Sequence, residues 1–127
     1  MSFFKNIFGK SEPKEEKSLP WQSLTTVEQL DSIEERSGTK TQVIFKHSTR
    51  CGVSRMVMNQ FISQYNLEAN LDLYYLDLLN HRAISNEISA KFQTIHESPQ
   101  LLVIKNGVTV SHASHGAINE LDLSRFE

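Results

Sequence analysis

The dipeptide Asn106-Gly107 stands between two strand-like runs, Gln100–Lys105 and Val108–Ser111. A tight hairpin turn of the type I′ class needs positive φ at both central residues, which Asn and Gly tolerate best, so the two runs become antiparallel neighbours. Upstream the connections are of the opposite kind. Thr41–Lys46 reads as a short buried strand, and Leu71, Leu73 and Tyr75 alternate along a second one, with Leu76 on its other face. Between them, from Gly52 to about Tyr65, Val53, Met56, Val57, Phe61 and Ile62 recur at helical spacing. His81–Phe92 repeats the pattern with Ile84, Ile88 and Phe92. Helical crossovers of this length return the chain to pair in parallel.

Ahead of these elements, Thr25 and Glu28 have capping-box spacing and open a helix through Val27, Leu30 and Ile33 that stops at Gly38. Behind them, Ala117–Phe126 reads as a closing helix with Ile118, Leu121 and Phe126 facing the core. The expected fold is α/β, thioredoxin-like, with a mixed four-stranded sheet flanked by helices in the order α-β-α-β-α-β-β-α. It occupies residues 20–127. Residues 1–19 read as a tail. Ser11–Ser18 is polar and charged throughout, which suits a solvated linker, and Phe3, Phe4, Ile7 and Phe8 share one side of a short helical turn. That turn reads as a flap docking on the domain or as a segment touching a membrane, and about ten residues make a weak anchor.

With 127 residues and 39% hydrophobic side chains, the chain supports one modest core. The formal charge of -2, with acids and bases mixed, lacks the basic stripe that nucleic acid requires. No run approaches the roughly 18 apolar residues of a membrane span, and no cleavable export signal is evident. A cytoplasmic location without stable membrane association is expected, and a single cysteine suits a reducing compartment.

That cysteine, Cys51, lies in the polar turn between the first strand and its helix. A lone cysteine is often a small buried hydrophobe, but a polar strand-to-helix turn is a poor place to hide one. Unpaired N–H groups at a helix start favour an anion, so the position suits a thiolate, with Arg50 adding positive charge. Arg50 either pairs with carboxylates on a small-thiol adduct or is a solvated surface charge. Ser54, one turn on, either donates to the thiolate or caps the helix. His47, at the end of the first strand, either responds to nearby charge or makes a structural hydrogen bond. Met56 and Met58 read as packing and surface residues. His112 and His115 lack a third ligand at a recognised spacing, so no metal is expected.

Residues 51–54, Cys-Gly-Val-Ser, stand where thioredoxins carry Cys-x-x-Cys, with Ser54 in place of the resolving cysteine. Residues 98–107, Ser-Pro-Gln-Leu-Leu-Val-Ile-Lys-Asn-Gly, resemble the thioredoxin segment of a cis-proline, a strand and a turn. The resemblance implies a cis Pro99, with the Ser98 backbone free to pair with an extended substrate, and places His115 and Gly116 in a loop bordering the groove. From about Trp21 onward the chain is similar to the YtxJ-type monothiol bacilliredoxins. The resemblance is carried by Phe-Lys-His-Ser-Thr at 45–49, Cys51-x-x-Ser54, His-Glu-Ser-Pro-Gln at 96–100 and Ser-His at 114–115. Many members have proline or another residue after the cysteine; here it is Gly52.

That family implies a monothiol thiol–disulfide oxidoreductase, with Cys51 removing a small thiol, bacillithiol or a similar one, from S-thiolated client proteins. The thiol is a co-substrate, and no bound cofactor is expected. Two other readings stay open. Cys-Gly-x-Ser also resembles the monothiol glutaredoxins that carry an iron–sulfur cluster between two chains, although Ser111–Gly116 lacks their usual Gly-Gly pair. A thioredoxin-like groove that binds peptides without chemistry is the third.

Overall fold

The computed structural model describes residues 17–127. The expectations for the flap and most of the linker lie outside the described residues. Five strands, β1 (Trp21–Ser23), β2 (Thr41–His47), β3 (Leu71–Asp77), β4 (Gln100–Lys105) and β5 (Val108–Ser114), form one sheet in the order β1-β3-β2-β4-β5. Three helices, α1 (Glu28–Arg36), α2 (Gly52–Gln64) and α3 (Arg82–Lys91), connect them. β2 pairs parallel with β3 and antiparallel with β4, and β4 pairs antiparallel with β5. The mixed, thioredoxin-like sheet is therefore as expected, with one strand more.

The additional strand is β1, parallel to β3. Three residues are too few to show alternation. What holds them is tertiary: Trp21 packs edge-on against Phe45 and Tyr75 and tilts over Phe61. Leu19, ahead of the expected boundary, is already in the core.

β2 is buried at every position, so its two faces serve two cores. Val43 and Phe45 meet Val57, Met58 and Phe61 of α2, with Leu101 and Val103 of β4 alongside. Ile44 faces the other way, among Leu30 and Ile33 of α1, Ile84 and Ile88 of α3, and Leu102 and Ile104 of β4. Period-two alternation in β2 and β4 thus sorts side chains between the helical layers.

Three local expectations are corrected. Val27 is the exposed residue ahead of α1, and it is Gln29 that reaches back: its Oε1 accepts the N–H groups of Thr25 and Thr26. The residue reaching back is thus Gln29, and Glu28 opens the helix as its first residue. In α2, Val53 and Met56 point to solvent, while Met58 is buried. The closing helix is two 3₁₀ segments, His115–Glu120 and Leu123–Phe126, because the Asp122 carboxylate accepts Ser124 N–H and Oγ–H and restarts the chain after an extended Leu121. Ile118 is still in the core, and Leu121 and Phe126 pack against it.

The hairpin turn follows the sequence closely. Asn106 has φ 53° and Gly107 φ 79°, and their N–H groups donate to the carbonyl and hydroxyl oxygens of Ser37 after α1. A methyl at Gly107 would find ordinary contact with Glu34, at 3.7 Å, so only the backbone resists substitution. Gly107→Ala is expected to lower stability by about 1 kcal/mol in urea denaturation. An unchanged midpoint would show that the turn relaxes to negative φ.

Candidate active site

Where β2 ends, its register with β4 closes on Lys46 opposite Gln100. The chain after His47 and the Ser98–Pro99 turn before Gln100 therefore lie at the same end of the sheet, the end that carries the loop to Cys51. The Ser98–Pro99 peptide is cis. No backbone hydrogen bond involves the Ser98 peptide groups among the described residues, and its buried hydroxyl oxygen also has no partner there.

Cys51 is half-buried and occupies the N-cap of α2 in an extended conformation. No side chain caps the helix, so the first-turn N–H groups of Gly52, Val53 and Ser54 have no intrahelical acceptor. The loop before it is tightly bonded: Cys51 N–H donates to Ser48 O at 3.2 Å, and Arg55 donates from its backbone to Cys51 O and from its guanidinium to Thr49 O. Arg50 is exposed and makes no ion pair among the described residues. With Thr49, Leu79 and Asn80 it lines an open cavity of about 390 Å³.

Ser54 does neither thing the sequence suggested. It is buried inside the first turn of α2, where its oxygen accepts Ser48 N–H at 3.1 Å and sits 2.8 Å from Nδ1 of His47. A hydroxyl has one proton, and Nδ1 is the only acceptor within hydrogen-bond distance of Ser54 Oγ among the described residues, so that proton goes to Nδ1. His47 is then the Nε2–H tautomer. Its neutrality agrees with its surroundings: burial, chiefly, pushes its pKa below the usual value, Asp77 opposes this and Arg55 adds to it. The imidazole packs near the rings of Phe45 and Tyr75.

His115 and Gly116 follow β5, both exposed. His115 takes a positive φ of 55°, and its backbone N–H donates to Pro99 O at 3.0 Å, binding this loop to the cis-proline turn. His112 lines a separate cavity with Phe92, Thr94 and Thr109. Among the described residues no three His, Cys, Asp or Glu side chains gather closely enough to hold a metal. No described helix is long and apolar enough to cross a membrane.

One feature escaped the sequence reading. Lys46 is completely buried on the α3 side, its Nζ 3.3 Å from Nδ1 of His96 and 3.5 Å from both Ser85 O and Ser89 Oγ. No carboxylate lies within ion-pair distance of it among the described residues. Burial pulls its pKa down to about 8. His96, also bonded to Ser85 Oγ, is kept below its ordinary value first by burial and then by Lys46 and Arg82. Gln100 completes the anchoring of residues 95–100 by accepting Glu97 N–H and donating to Ile95 O. The available signal was a lysine directly following the apolar run Val43-Ile44-Phe45.

Residues 22–123 match the monothiol bacilliredoxin BrxC family. The chain belongs to that family. Solved structures agree with the assignment. One assigned as an oxidoreductase with a thioredoxin fold is 32% identical, with a TM-score of 0.69 over 79% of this chain and 87% of that one. Thioredoxin from Malassezia sympodialis, 20% identical, covers 91% and 90% with a TM-score of 0.61, and thioredoxin O2 from Arabidopsis thaliana, 18% identical, covers 84% and 88% at 0.59. These last two show the fold alone. Family and fold make this bacilliredoxin a thiol–disulfide oxidoreductase, and its single cysteine makes it monothiol.

Proposed function

We propose that this bacilliredoxin uses Cys51 to strip a carboxylate-bearing small thiol, bacillithiol in the first instance, from mixed disulfides on client proteins. The observation that carries the reading is the placement of Cys51. It is solvent-accessible at an uncapped helix N-terminus, where an anion is favoured, at the sheet end that also carries the cis Ser98–Pro99 turn. Catalytic work is assigned to Cys51, substrate backbone pairing to Ser98 and Pro99, and the groove border to His115 and Gly116.

Two exchanges complete the cycle. The Cys51 thiolate attacks the small-thiol sulfur of the mixed disulfide, an S–S bond forms between them, and the client leaves as a thiolate that takes up a proton. A second small thiolate then attacks the adduct at the small-thiol sulfur. It leaves as a symmetric small-molecule disulfide, and Cys51 departs as thiolate, with no net change in the protein. Arg50, beside its open cavity and without an ion pair among the described residues, supports a small thiol bearing carboxylates.

Intact-protein mass spectrometry tests this directly. A client carrying a bacillithiol mixed disulfide should transfer a bacillithiol-sized mass to Cys51 while its own thiol reappears. Arg50→Ala should slow that transfer by up to about fivefold, an effect that shrinks with salt, as expected for an exposed charge. Absence of transfer from bacillithiol and glutathione disulfides alike would reject the exchange reading.

A further inference from the structure

Exchange needs the cysteine aimed as well as ionised, and the loop that carries it is held from one side by a pair of buried groups. Ser48 is gripped at both of its backbone polar atoms. Its carbonyl accepts Cys51 N–H at 3.2 Å, and its N–H donates to Ser54 Oγ at 3.1 Å. Ser54 in turn spends its proton on Nδ1 of His47, at 2.8 Å. We propose that His47 is a positioning residue for Cys51, acting through the Ser54 hydroxyl, and that the pair replaces the resolving thiol with a hydrogen-bonded lock.

The direction of each bond makes the lock specific. An acceptor is required at the His47 position, because the buried Ser54 O–H has no other acceptor within reach among the described residues. A proton on Nδ1 turns that acceptor into a donor. The Ser54 O–H then has no acceptor, and the turn leading to Cys51 must rearrange. The groups facing the imidazole are Asp77 at the end of β3, Arg55 on α2, and the rings of Phe45 and Tyr75. Asp77 does not compete for the lock, since its oxygens receive Leu79 N–H and the Asn80 amide. Burial keeps His47 in the acceptor form at neutral pH and delays its protonation to below the usual histidine range.

The inference relies on the exchange reading only for what Cys51 does next, so the test uses alkylation as well as exchange. Iodoacetamide reaction at Cys51 in the full chain is followed from pH 5 to 8 and divided by the thiolate fraction read from ultraviolet absorbance. Ser54→Ala and His47→Leu should each slow the per-thiolate rate roughly fivefold, through misplacement of the sulfur. The double variant should be no slower than either single one, because both break one lock. His47→Asn, whose amide oxygen accepts the same proton, should recover most of the loss. The wild-type per-thiolate rate should fall as the pH drops below the usual histidine range, whereas that of His47→Asn should stay flat.

A wild-type rate in Ser54→Ala, losses that multiply in the double variant, or equal damage from Leu and Asn would each overturn the lock. If His47→Leu fails to fold, Ser54→Ala against His47→Asn decides alone. A wild-type protein inert to disulfides that still shows the alkylation pattern would reject the exchange reading and uphold the lock.

Discussion

Cys51→Ser is expected to lose thiol transfer by at least about a thousandfold while folding as well as the wild type, or better. The first half follows from the chemistry. The nucleophile must be an anion at neutral pH and must form a disulfide, and serine does neither. A thousandfold corresponds to roughly 4 kcal/mol of transition-state stabilisation. With Cys51 the chain's sole thiol, no second sulfur can take over. The second half follows from the backbone. Cys51 sits at the N-cap of α2, in extended conformation and partly in solvent, without a side-chain cap bond. Serine is a preferred N-cap residue whose oxygen can accept an N–H of the open first turn, a gain of up to about 1 kcal/mol. Mass transfer and urea denaturation on the same variant should thus move apart, activity to background and midpoint level or upward. A dead variant that is also strongly destabilised would mean that Cys51 belongs to the core.

The parts of this fold legible in the sequence are those decided by neighbours along the chain. The Asn106-Gly107 turn needs positive φ at two adjacent residues, and it has it. The helical crossovers that force β2 and β3 into parallel pairing announce themselves by period. Cys51 is placed at a helix start by the polar run before it. Legibility ends where partners are distant. Trp21–Ser23 is a strand only because β3 supplies hydrogen bonds and Phe45, Phe61 and Tyr75 receive the indole. Val53 and Met56 were read with Val57 into one apolar face, yet they lie in the first turns of α2 and remain exposed while Val57 is buried. Ile118 and Leu121 fit a helix by spacing, but Asp122 binds Ser124 and breaks it. Ser54 was read as a partner for the thiolate or as a helix cap because sequence shows only its distance from Cys51. That its proton goes to His47 depends on how β2 and α2 pack.

Lys46→Met is expected to stabilise the protein by about 2 kcal/mol at pH 7 and to remove a pH dependence that the wild type shows. Lys46 is an ammonium fully out of solvent, with long contacts to Ser85 O, Ser89 Oγ and the neutral His96. None of these repays a buried charge as a carboxylate would. Its pKa is pulled from 10.5 to about 8 by burial. Between those values the unfolded chain binds the proton and the folded one does not, so stability rises as pH rises through that window. At pH 7 both states are protonated and the whole penalty, about 3 kcal/mol, is present. By pH 9.5 about 2 kcal/mol of it is relieved. Tyr65, pushed up to about 12 first by burial and then by Glu127 and Asp72, works oppositely. Its contribution is full below pH 10 and is lost as pH climbs towards 12, so measurements should stop near 9.5. Methionine has similar length, fills the space and carries no charge. It removes the Nζ donor shared by Ser85 O, Ser89 Oγ and His96, which is why the gain falls below the full penalty. Urea denaturation should show wild-type stability climbing from pH 7 to 9.5 and Lys46→Met level and higher at the start. A less stable Lys46→Met at pH 7 would mean that the ammonium is held by stronger bonds than its distances imply. The same variant should exchange more slowly, because Lys46 anchors His96 and with it the segment that carries the cis Ser98–Pro99 turn. Stability gained with exchange lost would identify Lys46 as a residue kept for the site at the expense of the fold.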